Sequence, residues 1–470
     1  MQNYYQFIIP RLNGSNIRKD FGYYQSLVKK GIAGFIIFGG ELEQIRAYIK
    51  KLQSGSDLPL IICSDLERGL GQQIKGGTLF PPAMAMANAV KNNKGSRLLQ
   101  NAFSALAKEA EYAGINTILA PVLDINTNPK NPIISIRSFG EDRETVSFLG
   151  SWMIRTLQRH GIAACGKHFP GHGDTEVDSH IKLPFISRDL KALRRHEIYP
   201  FKKAVEAGVK MIMLGHLSVP AIDPAGTPVS ISEKAVSFIR KDMKYKGILI
   251  TDAMNMGGLG KYSEEKASFM ALNAGVDIIL HPSDADKTAE RLKKCGIEFN
   301  AGRLNKFRKG LFHFPSSERP DLEKHEIISR KLTEDAISVS DEFRTRGKPL
   351  LVILNDEDDE KGRLFEERLK TGIPDLRTEV INKATSAKKI RLSDDSSVIV
   401  AIFSETKAWK GGAGTWLYKK ISNLEGKADI FVSFGSPYIL DSIKKGIKIF
   451  AYWDSEEAQE AAAERILKNR

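Results

Sequence analysis

Through roughly the first 300 residues, short apolar runs rich in β-branched side chains alternate with longer stretches in which apolar positions recur every three or four residues. The short runs are Phe7–Pro10, Gly34–Phe38, Leu60–Ser64, Thr117–Ala120, Ile162–Cys165, Met211–Leu214, Ile248–Thr251 and Asp277–Leu280. Nearly continuous apolar character over four or five residues predicts strands buried on both faces, and the longer stretches predict amphipathic helices. Their alternation predicts repeated β/α units around a parallel sheet. Eight such units match a closed (β/α)8 TIM barrel, with an open doubly wound sheet as the alternative that counting leaves in place.

The polar residues favour the barrel. Asp65 follows the third run, Asp124 the fourth, Lys167 and His168 the fifth, His216 the sixth, Asp252 the seventh and His281 the eighth. All sit at C-terminal strand ends, which a barrel gathers into one mouth and an open sheet would spread along an edge.

The pattern breaks at Pro315–Pro320, PSSERP, a boundary signal. Before it, Lys287–Lys309 reads as one helix; after it, Leu322–Val339 reads as another. Strands at Leu350–Leu354, Val398–Phe403, Ile430–Ser433 and Lys448–Tyr452 follow, and the last sixteen residues form a helix with a Ser start, early acids and late bases. The expected organisation is a catalytic barrel over 1–314, a linker and helix over 315–345, and a smaller α/β sandwich domain over 346–470. GGAGTW at Gly411–Trp416 lacks the GK[ST] ending of a phosphate loop and reads as a surface turn.

Composition narrows the class. Hydrophobic content of 42% and charged content of 27% in 470 residues are those of a soluble protein of two or three domains. No apolar run approaches the roughly 20 residues of a membrane span, and MQNYYQFIIPRL does not read as a signal peptide. Three scattered cysteines fit neither a disulfide framework nor a zinc knuckle, so a cytoplasmic location is expected. The net charge of +13 falls largely in helical stretches mixed with acids, such as Lys191–Lys203 and Arg363–Lys370, and predicts solvated faces. No nucleic-acid, membrane or obligate protein partner is expected.

The chemistry concentrates in Gly166–His180, GKHFPGHGDTEVDSH. A single buried histidine is ordinarily a satisfied polar group, but three histidines, a lysine and several acids in one Gly-rich loop point to function. With Asp65, Asp124, Asp252 and Arg137 the inventory suits two chemistries. Metal-assisted hydrolysis would want His and Asp ligands, yet the first strand ends Ile8-Ile9-Pro10-Arg11 without the His-x-His pair such barrels carry. Displacement at a sugar acetal carbon needs no metal or cofactor, only a carboxylate nucleophile and a proton donor. Asp252, ending a buried strand in ITDAMNM, suits the nucleophile; its alternative is a helix N-cap.

These segments resemble those of family 3 glycoside hydrolases, of the bacterial β-N-acetylglucosaminidase branch. KHFPGHGDTEVDSH matches that branch's hallmark, Ala120–Asp142 its fourth-strand segment, ITDAMNM its nucleophile strand, and FGSPY at Phe434–Tyr438 a piece of its second domain. The resemblance implies Asp252 as nucleophile, His180 as acid/base with Asp178 orienting it, and Asp65, Arg137, Lys167 and His168 as sugar-binding residues, with a carbohydrate substrate and no metal or cofactor. Two residues apart, Asp178 and His180 can hydrogen-bond within a turning loop, which would fix the imidazole tautomer. One segment departs: the branch follows its Asp with Gln-Glu-Gly-Gly-Arg and a further Arg, where this chain has SDLERGLGQQI, with Arg68, Leu70 and Gln73 at the altered positions. The expected activity is retaining removal of terminal β-N-acetylglucosamine; a phosphorylase with the same residues and a non-catalytic sugar-binding barrel are the rivals.

Overall fold

The computed structural model describes residues 2–92, 95–175, 183–345, 347, 349–356, 361–388, 390, 397–404 and 413–469. The chain divides into two compact units: Met1–Leu79, Gln100–Asn128 and Ser138–Glu326 form the first, and Phe80–Leu99, Pro129–Arg137 and Ile327–Arg470 the second.

The first unit is built on parallel strands: β1 (Ile8–Ile9), β2 (Arg11–Asn13), β3 (Gly34–Phe38), β4 (Ile61–Ser64), β5 (Thr117–Ile118), β6 (Ala163–Phe169), β7 (Met211–Leu214), β8 (Ile248–Thr251) and β9 (Ile279–Leu280). Strands β2 to β8 pair in sequence order as one seven-stranded sheet, and β1 pairs with β9. A further parallel bridge joins Ile250 of β8 to Ile278. The first expected strand, Phe7–Pro10, holds only β1, and β2 follows beyond Pro10. Pro10 has no N–H to donate and interrupts the ladder, although its carbonyl still accepts from Ile36 at 3.0 Å.

Helices fill the connections where their caps direct. Asp142 accepts from Thr145 N–H at 2.8 Å to start the helix Arg143–Arg159, and Asp284 accepts from Lys287 N–H at 3.0 Å to start Ala285–Lys294. The single helix expected over Lys287–Lys309 is two, because Gly296, at φ +67°, ends the first and Gly302–Lys309 begins again.

The second unit carries β10 (Ser338–Val339), β11 (Leu350–Asn355), β12 (Arg377–Ile381), β13 (Val398–Ser404), β14 (Ile430–Gly435) and β15 (Ile447–Phe450). Their order is β10-β15-β14-β13-β11-β12, parallel except for the antiparallel β10–β15 pair. The first five residues of β11, LLVIL, are all apolar because both faces are covered: Leu351 and Ile353 pack with the helices Arg363–Gly372 and Glu456–Leu467, and Leu350, Val352 and Leu354 with Thr415–Leu424. Sequence patterning missed β12, RTEVI, an edge strand whose exposed face needs no apolar residues. It also ran the Leu322–Ala336 helix into β10. Ser455 caps the terminal helix as expected, accepting from Ala458 N–H at 3.2 Å. Of GGAGTW, Gly411 and Gly412 lie outside the described residues.

Candidate active site

Parallel strands deliver their C-terminal ends to the same edge of the sheet, and β4, β6, β7 and β8 of the first unit deliver charge there. Leu214 of β7 pairs with Phe169 on one side and Thr251 on the other. Neighbouring strands are about 4.8 Å apart, so His168 and Asp252 stand roughly 10 Å from each other across β7.

At the end of β6, Lys167 is buried with its side chain 2% exposed. Its Nζ lies 2.6 Å from Asp65 Oδ1 and 2.7 Å from Glu67 Oε1. Burying an ammonium is tolerable only because two carboxylates receive it. Of the two acids Asp65 is the more exposed, its side chain at 27% against 7% for Glu67. Asp65 is therefore the carboxylate of the pair more open to a ligand. Sequence reasoning did not single out Glu67; the signal was an acid two residues beyond a strand-end aspartate, facing a lysine that needed a second partner. Lys167→Met should cost about 3–5 kcal/mol, since it leaves two carboxylates together without their cation. Adding Glu67→Gln should recover part of that loss in urea unfolding. No recovery would mean that the clamp is not the source of the cost.

Asp124 is fully buried and serves as an internal hub. It accepts from His168 Nδ1 at 2.8 Å, from His168 N–H at 3.2 Å and from His172 N–H at 2.7 Å. Burial alone would raise its pKa, but the two histidines and these donors hold it below the usual carboxylate value. The carboxylate thus positions His168 and the start of the Gly-rich loop rather than facing a ligand. The peptides preceding His168 and Pro170 are cis.

His172 is fully buried, its Nδ1 2.6 Å from Thr175 Oγ1, and burial depresses its pKa from 6.5 to about 4 although Asp124 pulls the other way. A depressed histidine is held neutral in the fold. Its stabilising contribution is complete above the unfolded value of 6.5 and is lost as pH falls toward 4, by roughly 3 kcal/mol. Denaturant midpoints for wild type and His172→Gln should therefore converge between pH 7.5 and pH 4.5. Parallel pH profiles would show that the imidazole does not carry this dependence.

Beyond β8, Asp252 is half-buried, its N–H bonded to Leu214 O at 3.0 Å and its Oδ1 accepting from Ala253 N–H at 2.8 Å. It caps no α-helix: the next one is Glu264–Ala274, and Ser263 caps it. His216 supports the same turn. Its Nε2 donates to Ala253 O at 3.0 Å, so Nδ1, 2.7 Å from Ser230 Oγ, accepts from that hydroxyl. His281, just past β9, has φ +48° and packs 5.9 Å from the Phe38 ring; burial, then the charge of Arg11, lowers its pKa.

The Gly-rich loop is anchored before it leaves the described residues. A Cβ on Gly173 would stand 1.7 Å from Ile125 O, so only glycine fits. Asp174 accepts from Arg188 Nε at 2.9 Å, and Arg188 also pairs with Glu197 at 3.0 Å. Asp178, Ser179 and His180, the expected acid/base element, lie outside the described residues. Arg137 belongs to the second unit, at the end of the turn Ser135–Arg137, where its Nη1 donates to Ile133 O at 3.1 Å. At the departing segment, Leu70 is fully buried and opens the turn Leu70–Gln72, and Gln72 Oε1 accepts from Arg68 N–H at 2.9 Å.

Comparison with known proteins follows the same lines. A β-hexosaminidase A of Pseudoalteromonas piscicida is 34% identical over 274 residues, 53% of this chain and 46% of that protein, so the chain spans about half of that relative's length. A β-hexosaminidase of Idiomarina loihiensis is 31% identical over 304 residues, 60% of this chain and 91% of the relative. Among solved structures, a family 3 β-N-acetylglucosaminidase from Paenibacillus sp. str. FPU-7 superposes with a TM-score of 0.82 at 24% identity, covering 100% of this chain and 97% of that one, a likeness of fold. The sequence profile of the glycosyl hydrolase family 3 N terminal domain matches residues 9–306, which takes in every strand-end residue from Asp65 to His281, and the chain belongs to glycosyl hydrolase family 3.

Proposed function

We propose that this chain is a retaining exo-β-N-acetylglucosaminidase that removes terminal β-linked N-acetylglucosamine from cell-wall fragments or chitin-type oligosaccharides. The names of the curated relatives support the sugar. The observation that carries the mechanism is Asp252 immediately past β8, its Oδ1 fixed by Ala253 N–H at 2.8 Å, on the sheet edge that also holds the Lys167–Asp65 pair.

In this reading an Asp252 oxygen attacks the anomeric carbon as the bond from that carbon to the aglycone oxygen breaks, and protonated His180 gives its proton to the departing oxygen. Water then attacks the same carbon, its proton passes to His180, and Asp252 leaves as a carboxylate. Asp178 orients His180, while Asp65, Arg137, Lys167 and His168 hold the sugar. The fold that serves this chemistry is a closed barrel in which β1 and β2 act as one interrupted strand; the β1–β9 pair and the Ile250–Ile278 bridge support closure. Residues 1–314 would be the catalytic domain and 346–470 its companion, joined by 315–345, in a cytoplasmic protein whose three cysteines are free.

Nitrophenyl β-glycosides that differ only at the 2-substituent test the proposal. The N-acetylglucosaminide should turn over at least about tenfold faster than the glucoside, a 2-substituent preference worth about 1.4 kcal/mol. NMR should show the β-anomer released first, with free sugar and no sugar 1-phosphate in phosphate buffer. Faster glucoside turnover, an α-anomer first, or sugar 1-phosphate would each overturn a part of it.

A further inference from the structure

Two adjoining cavities of the first unit open away from the catalytic edge, and they share Gln158 and Lys210. One, of about 350 Å³, lies at the N-terminal starts of β6, β7 and β8 under the helix Gly302–Lys309. The other, of about 680 Å³, lies against the helix Arg143–Arg159. Phe148, Trp152, Arg155 and Arg159 fall at i, i+4, i+7 and i+11 of that helix, one stripe along its length.

The charge of this surface is one-sided. Arg155, Arg159, Lys210, Lys246, Arg303 and Lys306 line the two cavities, and among the described residues no Asp or Glu does. The carboxylate that reaches Arg303 is shared, since Asp277 pairs with Arg240 at 2.8 Å and with Arg303 at 2.7 Å. Among the described residues, the other five cations make no ion pair. On some other helices the basic residues are paired: Lys203 with Glu206, Arg363 with Glu367 and Lys370 with Glu366. A groove that gathers unpaired cations stores repulsion that an anion would relieve.

Its other end is aromatic. Phe148 is 59% exposed and lies 5.9 Å from the Trp152 ring, which Phe103 braces edge-on at 6.3 Å. Such rings offer an apolar face of the size of one sugar ring. Single-stranded nucleic acid wants successive stacking platforms interleaved with cations. Here the two rings lean on each other at 54° at one end, and the rest is cationic. The rise of about 1.5 Å per residue puts Arg155 and Arg159 about 6 Å apart along the helix, close to the length of one hexose.

We propose that the groove formed by Phe148, Trp152, Arg155, Arg159 and Lys210, continued by Lys246, binds an acidic glycan chain. One sugar ring rests on the aromatic pair and the acid groups of following sugars meet the guanidinium and ammonium groups. The site is separate from the hydrolytic one, roughly 13 Å or more away along β6 at about 3.3 Å per residue. It would hold an anionic polymer to the enzyme independently of whether a chain end is being cleaved.

Titration calorimetry of the full chain with polygalacturonate at low salt tests this, with neutral chito-oligosaccharide and a single-stranded oligonucleotide alongside. Polygalacturonate should bind, weaken steeply with salt, and lose at least about tenfold in affinity in Arg155→Glu/Lys210→Glu. Phe148→Ala should lose about threefold, the scale of one exposed ring contact. Both variants should keep wild-type turnover of a small aryl glycoside, which also separates this test from that of the catalytic proposal. If the charge-reversed pair unfolds, Arg155→Gln/Lys210→Gln replaces it. Equal polygalacturonate affinity in wild type and variants would overturn the site. Tighter binding of the oligonucleotide, weakened by Phe148→Ala, would overturn the choice of ligand in favour of nucleic acid.

Discussion

Asp252→Ala should reduce kcat on an aryl β-N-acetylglucosaminide by about 10⁴-fold or more while leaving the unfolding midpoint nearly unchanged. The side chain is half-buried and stands beyond the strand, so its removal opens no core cavity. The lost contact with Ala253 N–H is one hydrogen bond, worth about 1 kcal/mol. His216 still holds the turn through Ala253 O, so the vacated space should keep its shape. That space is the basis of a positive test. Azide entering from the side Asp252 occupied would form a carbon–nitrogen bond at the anomeric centre as the nitrophenolate leaves, giving the α-glycosyl azide. Residual kcat above a few per cent of wild type, or a β-azide, would move the nucleophile elsewhere.

His180→Ala should produce losses graded by the leaving group. An alkoxide cannot depart without a proton, so natural disaccharides should slow by about 10²–10⁴-fold. A nitrophenolate departs unaided, so the first step on an activated glycoside should be nearly spared and the second, in which water must lose a proton, should become limiting. A pre-steady-state burst of nitrophenol is then expected. Asp178→Ala should show a milder form of the same pattern, since the imidazole remains and loses only its orienting charge. Uniform losses across a leaving-group series, without a burst, would make His180 a binding residue.

The parts of this molecule that were legible in the sequence are those where local pattern and tertiary environment agree. Buried parallel strands must be apolar throughout, so β3, β4, β7, β8 and β11 stand out as runs. The edge strand β12 is half-exposed and β10 is only two residues long, and neither leaves such a mark. At the candidate site, the strand-end placement of Asp65, Lys167, His168 and Asp252 was legible. The division of labour among the acids was not legible. Asp65 and Asp124 read alike in sequence, yet one is partly exposed and shares a buried lysine, and the other is sealed beneath two histidines. Glu67 was hidden because its partner, Lys167, is 100 residues away in sequence and reaches it only through the sheet.

The Lys167 clamp also bears on how the proposed sugar site is held ready. Strand β5 lies between β4 and β6 and is only two residues long, yet backbone bonds continue past it, from Leu119 N–H to Ser64 O at 3.0 Å, from Cys165 N–H to Ala120 O at 3.0 Å and from Lys167 N–H to Pro121 O at 3.1 Å. Past β5, Asp65 and Glu67, following β4, reach Lys167 on β6, and Asp124 reaches His168 and His172. Charged side chains therefore cross-brace a floor that backbone bonds already tie together. A floor tied in this way is set before substrate arrives, so binding a sugar should order little that is not ordered already. Affinity for the sugar ring should then show a small entropic penalty, and amides of 119–124 should exchange slowly with solvent even without ligand.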